Sequence, residues 1–323
     1  MTKKIFRRYN IILLVGGGIA TSIMFVYAMV FGYLSTNFWV FRCNASLYSS
    51  EYYLSYCADQ AFGSYEHGAI FLGTDEESIR NLKLADVLIL GNSRAQMAFS
   101  TTAIQAFFDD RNIKHFNLTF NGEQDVFPRK IIEKYALSPR IIIINSDYFF
   151  YNSANSTAKK IMSETPMAKF EYTMKAWVQP LHKDICGGER RLFKNLLCGD
   201  QKTQYRSRKN GRITSPNWPN ENIPVSYSDD YPENAFQELL NNARKFKKFA
   251  SDRKICLVIT VVPSPVATPL VGRKIAENLG TPFIQPDVEG LTGSDSGHLN
   301  PASAEIWTNA FLKEFEPVLQ DCL

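Results

Sequence analysis

The chain has 323 residues and a formal net charge of +4, from 36 basic and 32 acidic side chains. Apolar residues make up 45% and charged residues 21%, which excludes global disorder and leaves ample material for a core. So small a net charge also excludes a general nucleic-acid binder, which needs a strongly basic face.

All of the net charge lies at one end. Lys3, Lys4, Arg7 and Arg8 carry it, and the remaining chain balances 32 basic against 32 acidic residues. Ile11 to Leu34 is an uncharged apolar run, long enough to cross a hydrocarbon core of about 30 Å as a helix. The basic flank predicts a cytoplasmic tail over 1–10, a transmembrane signal-anchor over 11–34 and a periplasmic or otherwise extracytoplasmic main domain. Tyr27, Tyr33, Phe38 and Trp39 fit an aromatic belt at the far interface. A cleaved signal peptide is the competing reading; it requires a shorter apolar region and a small-x-small site, which does not follow here. Residues 35–84 read as a connecting segment.

From residue 85 the pattern alternates. ADVLILG (85–91) is a buried strand, Thr101–Asp109 a helix, HFNLTF (115–120) a second strand and Asp125–Leu137 a helix. RIIIINSDYFF (140–150) is a third strand. After residue 232 come a helix at Asn234–Ser251, a strand KICLVITVVP (254–263), a helix at Val271–Leu279 and a strand PFIQP (282–286). A closing helix over Pro301–Leu319 has Asn300 as its cap and proline at its first position. Strands apolar on both faces, separated by helices, predict an α/β fold with a parallel sheet of about five strands.

Residues 151–232 break this pattern and read as an insertion capping one side of the sheet. Its basic run YRSRKNGR (205–212) is either a solvated face or a site for an anionic polymer or phosphate. Six cysteines fit an oxidising compartment. Cys43 with Cys57 and Cys186 with Cys198 can close short loops, and Cys256 with Cys322 is a third pairing; six cysteines allow fifteen connectivities. Asn44, Asn117 and Asn155 match the short glycan-acceptor pattern.

Two segments carry chemistry. In ILGNSRAQ (89–96) a buried strand ends at Gly91 and Ser93 follows, at the end of a parallel strand where ligands bind in open α/β sheets. There Ser93 is either a nucleophile or a helix cap. In SDSGHLNPAS (294–303), Asp295 and His298 are three apart, a spacing that lets a carboxylate hold an imidazole in the tautomer that leaves its other nitrogen as a base. His67, His115 and His182 read as structural or exposed. No cysteine or histidine cluster suggests a metal, and no cofactor is expected.

GNSR, the Asn121–Gly122 turn after the second strand, and Asp295-x-x-His298-Leu299-Asn300 together resemble the SGNH (GDSL-type) hydrolase superfamily. The GNSR form is similar to the Gly-Ser-Ser-Arg variant of membrane-anchored, exported members that work in O-acetylation and D-alanyl transfer. The resemblance covers about 85–150 and 233–320. It implies a flavodoxin-like three-layer sandwich, with Ser93 as nucleophile, Asp295 as orienting acid and His298 as base. It implies an oxyanion hole from the backbone N–H groups of Ser93 and Gly122. The usual third block, Gly-x-Asn-Asp, is replaced by INSDYFFYN, so that Asn145 is the nearest candidate donor and Asn152 the next. Losing one such donor costs roughly 10²–10³ in rate. Arg94 either bridges within the fold or holds a substrate anion, and Asn152 is a further candidate for substrate binding.

The function this implies is a serine esterase or O-acyltransferase working on acyl esters, chiefly acetyl, of cell-envelope glycans. Its partners are then an acylated glycan or acyl donor and a membrane-bound acyltransferase. The alternative is a non-catalytic accessory or polymer-binding module of the same modification system.

Overall fold

The computed structural model describes residues 16–26, 40–59, 62–187, 198–216, 221–228 and 233–323. Residues 16–26 are helical and exposed throughout. Among the described residues, no helix is long and apolar enough to cross a membrane. The basic tail and the rest of the expected 11–34 span lie outside the described residues.

Strands β1 (Tyr52–Cys57) and β2 (Gly63–Ser64) are followed by helices α1 (Tyr65–Phe71) and α2 (Glu76–Lys83). The chain continues through β3 (Val87–Leu90), α3 (Ser93–Ala98), α4 (Thr102–Asp110), β4 (His115–Asn117), α5 (Val126–Lys134) and β5 (Ile141–Asn145). Next come α6 (Ser156–Met162), α7 (Pro166–His182), β6 (Thr203–Ser207), β7 (Ile213–Thr214) and β8 (Ile223–Pro224). The last elements are α8 (Glu233–Ser251), β9 (Cys256–Thr260), α9 (Pro269–Leu279), β10 (Phe283–Ile284), β11 (Thr292–Gly293) and α10 (Pro301–Cys322).

The central sheet has five parallel strands in the order β10-β9-β5-β3-β4. Ranked along the chain this is the flavodoxin-like order, which reverses direction beside β3 and so opens a crevice at the carboxyl ends of β3 and β5. The isoleucine-rich strands sort their side chains by parity, as a pleated backbone dictates. Leu88, Leu90, Ile142, Ile144, Leu257 and Ile259 face the core built with α1, α5, α6, α8 and α9. Val87, Ile89, Ile141, Ile143 and Val258 face the opposite core, where Phe99, Phe108, Trp307 and Phe311 close the α3, α4 and α10 side. Both faces are covered, which is why these strands lack any polar alternation.

The expected strand over 140–150 stops at Asn145, whose partner Thr260 is the last paired residue of β9. Beyond it the chain turns, with Tyr148 at φ 54°. The expected caps hold: Asn300 accepts the Ser303 N–H at 2.9 Å ahead of Pro301.

A second sheet, β2-β1-β6-β7, is antiparallel. Its β1 comes from the stretch read as a connecting segment, and its β6 and β7 come from the insertion. The described residues of that stretch, 40–59 and 62–84, are therefore built into the fold rather than strung before it. Disulfides Cys43–Cys57, Cys186–Cys198 and Cys256–Cys322 are all present.

The basic run is divided: Arg206 is internal, Arg208 and Arg212 are half-buried, and Lys209 is exposed. Arg206 is fully buried against Glu66, Arg208 pairs with Asp75, and Lys209 pairs with Asp109. Arg212 donates through Nε to the Ser100 carbonyl at 3.2 Å. All five residues of β6 are buried, so Arg206 goes inside with its strand and needs an acid there. The acceptor pattern at Asn117 is also structural, because that side chain is buried and bonded to Thr119. Asn155 likewise caps α6 through the Ala158 N–H at 2.8 Å.

His115 and His182 are buried, and burial pushes each imidazole down to about 4. A histidine held neutral when folded but free to protonate when unfolded contributes stability above pH 6.5 that is lost as pH falls toward 4. Each should cost about 2 kcal/mol by pH 5. Urea unfolding at pH 7 and pH 5 checks this; an unchanged midpoint refutes it.

Candidate active site

Strand β3 runs out at Leu90, and Gly91 turns the chain with φ 152°. A side chain there would meet Ala95 Cβ at 2.9 Å and Asn145 Cβ at 3.0 Å, so only glycine lets α3 start this close to β5. Gly91→Ala should therefore cost about 2–3 kcal/mol. Thermal unfolding checks it, with a shift under about 1 °C against it. The cap of α3 is Asn92, whose Oδ1 accepts the Arg94 N–H at 3.1 Å. Ser93 is thereby released from the capping role and stands first in the helix, at the sheet's carboxyl edge.

The second arm is the loop between β11 and α10. β11 is pinned by pairing with β8. Across the loop the Ser294 N–H donates to the His298 carbonyl at 2.9 Å. Asp295 Oδ1 accepts the Gly297 N–H at 2.8 Å and the His298 N–H at 2.9 Å, closing the turn on its own carboxylate. The same carboxylate lies 2.9 and 3.0 Å from His298 Nδ1. Partial burial works to raise the Asp295 carboxyl, but the Gly297 N–H and His298 outweigh it and hold it below its usual value. An ionised carboxylate fixes the proton on Nδ1 and leaves Nε2 as an acceptor. His298 Nε2 lies 2.8 Å from Ser93 Oγ. The structure thus brings Ser93, His298 and Asp295 into one hydrogen-bonded chain, across 205 residues of sequence between serine and histidine.

The other expected residues have mixed positions. Gly122 occupies an exposed turn at φ 65°, a conformation that suits glycine. The turn is tied to the site's edge, since the Phe120 N–H donates to the Gly91 carbonyl at 3.1 Å. Glu66 Oε1 accepts the Asn121 N–H at 3.4 Å, and Asn155 Nδ2 donates to the Asn121 carbonyl at 3.0 Å. Asn145 is fully buried beneath the site. Its Oδ1 accepts the Val262 N–H at 3.0 Å and its Nδ2 donates to Asn92 Oδ1 at 3.4 Å. Its amide therefore braces the cap residue, where the sequence suggested an oxyanion donor. Asn152 is exposed at φ 51°, in a turn whose backbone reaches the Asp125 carboxylate. No hydrogen bond joins its side chain to the triad among the described residues.

Arg94 is bound within the fold, in an ion pair with Asp147. Asp147 was not singled out from the sequence. Burial raises its carboxyl against the lowering effect of Arg94 and Asn92. Its carbonyl accepts Asn92 Nδ2 at 3.1 Å, so Asp147 grips both residues that flank Ser93. The aspartate two places after Asn145 was the available signal. Glu66 was also missed: together with Arg206 it stands behind the Gly122 turn, and only the pairing of β1 with β6 brings those segments together.

Fold and site define a three-layer α/β protein with a serine–histidine–aspartate relay at the carboxyl edge of its parallel sheet. No protein-family model matches the chain, and no curated protein matches it. Among solved structures it is similar to a GDSL-like lipase from Bacteroides thetaiotaomicron, at 12% identity and TM-score 0.37, covering 78% of this chain and 100% of that one. A second similar structure is a protein from Bacteroides fragilis described as an acylhydrolase, at 12% identity and TM-score 0.35, covering 75% of this chain and 95% of that one.

Proposed function

We propose that this protein is an SGNH-like serine esterase or O-acyltransferase, anchored in the inner membrane by its N-terminal segment, acting on acyl esters of cell-envelope glycans. One observation carries the proposal: His298 Nε2 sits 2.8 Å from Ser93 Oγ while its other ring nitrogen is held by Asp295. That arrangement lets Ser93 attack an ester carbonyl as His298 takes its proton. Asp295 stabilises the imidazolium that forms. Collapse of the tetrahedral intermediate expels the alcohol, which takes the proton back from His298 and leaves an acyl-serine. Water or a sugar hydroxyl then attacks, again with His298 as base, giving hydrolysis or transfer.

Backbone N–H groups of Ser93 and Gly122 are assigned to the oxyanion. The resemblance to anchored O-acetylation and D-alanyl transfer proteins supports an acetyl group, an extracytoplasmic site and a membrane-bound acyltransferase as partner. A second reading, a non-catalytic accessory module, is favoured by one feature: the Asn145 amide is taken up by Val262 and Asn92. The two readings are separated by a fluorophosphonate probe. The enzyme reading requires labelling of the full-length protein that disappears in Ser93→Ala; equal labelling of both rejects it.

A further inference from the structure

A groove of about 420 Å³ is lined chiefly by the segments that follow the carboxyl ends of β5 and β9. Its wall includes Asp147, the residue that grips Asn92 and Arg94 on either side of Ser93. No triad residue lines the groove; Asp147 is the link between the two. Its size falls in the range of small-molecule sites, roughly 300–1,000 Å³.

One side of the groove is aromatic. Tyr148 and Tyr151 are stacked, with ring centroids 5.7 Å apart and planes 29° apart, and they are 45% and 37% exposed. Tyr148 holds φ 54°, a conformation that a bulky residue keeps only when its surroundings enforce it. The Arg94 guanidinium lies 5.7 Å from its ring and supports that position. The opposite side carries Pro265 and Val266, and Val266 is 46% exposed. Polar residues of the lining include Ser146, whose hydroxyl donates to the Thr260 carbonyl at 3.4 Å, and Thr268. Thr268 occupies the cap position of α9 but its side chain makes no cap hydrogen bond.

We infer that this groove is a carbohydrate subsite that seats an uncharged pyranose ring against Tyr148 and Tyr151. A pyranose has an apolar C–H face and a rim of hydroxyls. The exposed side of the tyrosine pair, an aliphatic edge opposite it and polar groups between them match both. Two stacked tyrosines provide rigid area at small entropic cost. The inference rests on the esterase reading for its meaning, because it places the glycan part of the ester beside Ser93.

The test reads binding without turnover. Full-length Ser93→Ala protein in detergent micelles is titrated with xylohexaose and with chitohexaose by calorimetry. Saturable binding of at least one is expected. Tyr148→Ala with Tyr151→Ala should weaken it about tenfold or more, while Tyr148→Phe with Tyr151→Phe keeps the platform and the affinity. Trp177→Ala, at an exposed aromatic on α7 outside the groove, should leave binding unchanged. No binding of either sugar, or alanine variants that bind as tightly as their parent, overturns the inference. A groove that instead takes an octanoyl ester in competition with no sugar overturns it too. Sugar binding without fluorophosphonate labelling would retire the esterase reading and keep the subsite; labelling without sugar binding would do the reverse.

Discussion

Ser93→Ala is expected to hydrolyse p-nitrophenyl acetate about 10³–10⁴-fold more slowly than wild type, with little change in KM. The size follows from the geometry. Removing Oγ deletes the atom that His298 is placed to deprotonate, at 2.8 Å, and leaves only the backbone donors at work. The ratio falls short of the roughly 10⁶ reached where triad and oxyanion hole are both complete, because Asn145 is turned into the framework. Asp295→Asn should cost nearly as much. The asparagine Oδ1 can keep the two backbone N–H groups, but an amide NH2 in place of Oδ2 donates toward Nδ1, so the imidazole loses its tautomer. The lowered pKa of Asp295 adds a sign. Its carboxylate contributes stability above the free-aspartate value of 3.8, and that contribution persists until the pH falls through the lower folded value. Rates for Ser93→Ala or Asp295→Asn within about threefold of wild type would end the triad reading.

The second large effect concerns stability. Arg206 and Glu66 form an ion pair with both side chains fully buried, Nη1 to Oε2 3.0 Å. The guanidinium also donates to the carbonyls of Asn117 and Thr119 at the end of β4. Glu66 accepts Gln96 Nε2 at 2.9 Å and the Asn121 N–H. Arg206→Met removes one charge and strands the other away from water. It should cost about 3–5 kcal/mol, a fall in Tm of roughly 10 °C. Adding Glu66→Gln removes the stranded charge and should recover part of the loss. Thermal unfolding of the three proteins checks both statements. A single-variant loss below about 1 kcal/mol would mean that the pair contributes little. The same pair backs the Gly122 turn, so Arg206→Met should also lower activity in protein that remains folded.

Much of the fold was legible in the chain because local rules and tertiary demands agree there. Ile141 to Ile144 are β-branched and buried on both faces, which is what a central parallel strand needs, and Asn300-Pro301 is a helix start in any context. The triad was legible for a related reason. Asp295 and His298 are neighbours in sequence, and Ser93 follows a strand whose end lies on the ligand edge of the sheet. What could not be read were relations between distant segments. YRSRKNGR looks basic and soluble when taken alone, yet Arg206, Arg208 and Lys209 find their acids at positions 66, 75 and 109. The fate of Asn145 was hidden for the same reason, since it depends on Val262, two residues beyond the end of β9.

By itself the sequence determined the parallel α/β core, the helices that flank it, the concentration of net charge in the first ten residues and the three residues that the structure joins in a hydrogen-bonded chain. These follow from periodicity, caps and spacing, which act over a few residues. Only the tertiary structure decided that residues 52–57 and 203–207 share a sheet, that Arg206 of the basic run is internal, and that Asp147 holds Arg94. The physical reason is that burial and ion pairing are set by which chain segments meet. A buried charge must find its partner wherever the fold brings one, and that choice is not written in either residue's neighbours.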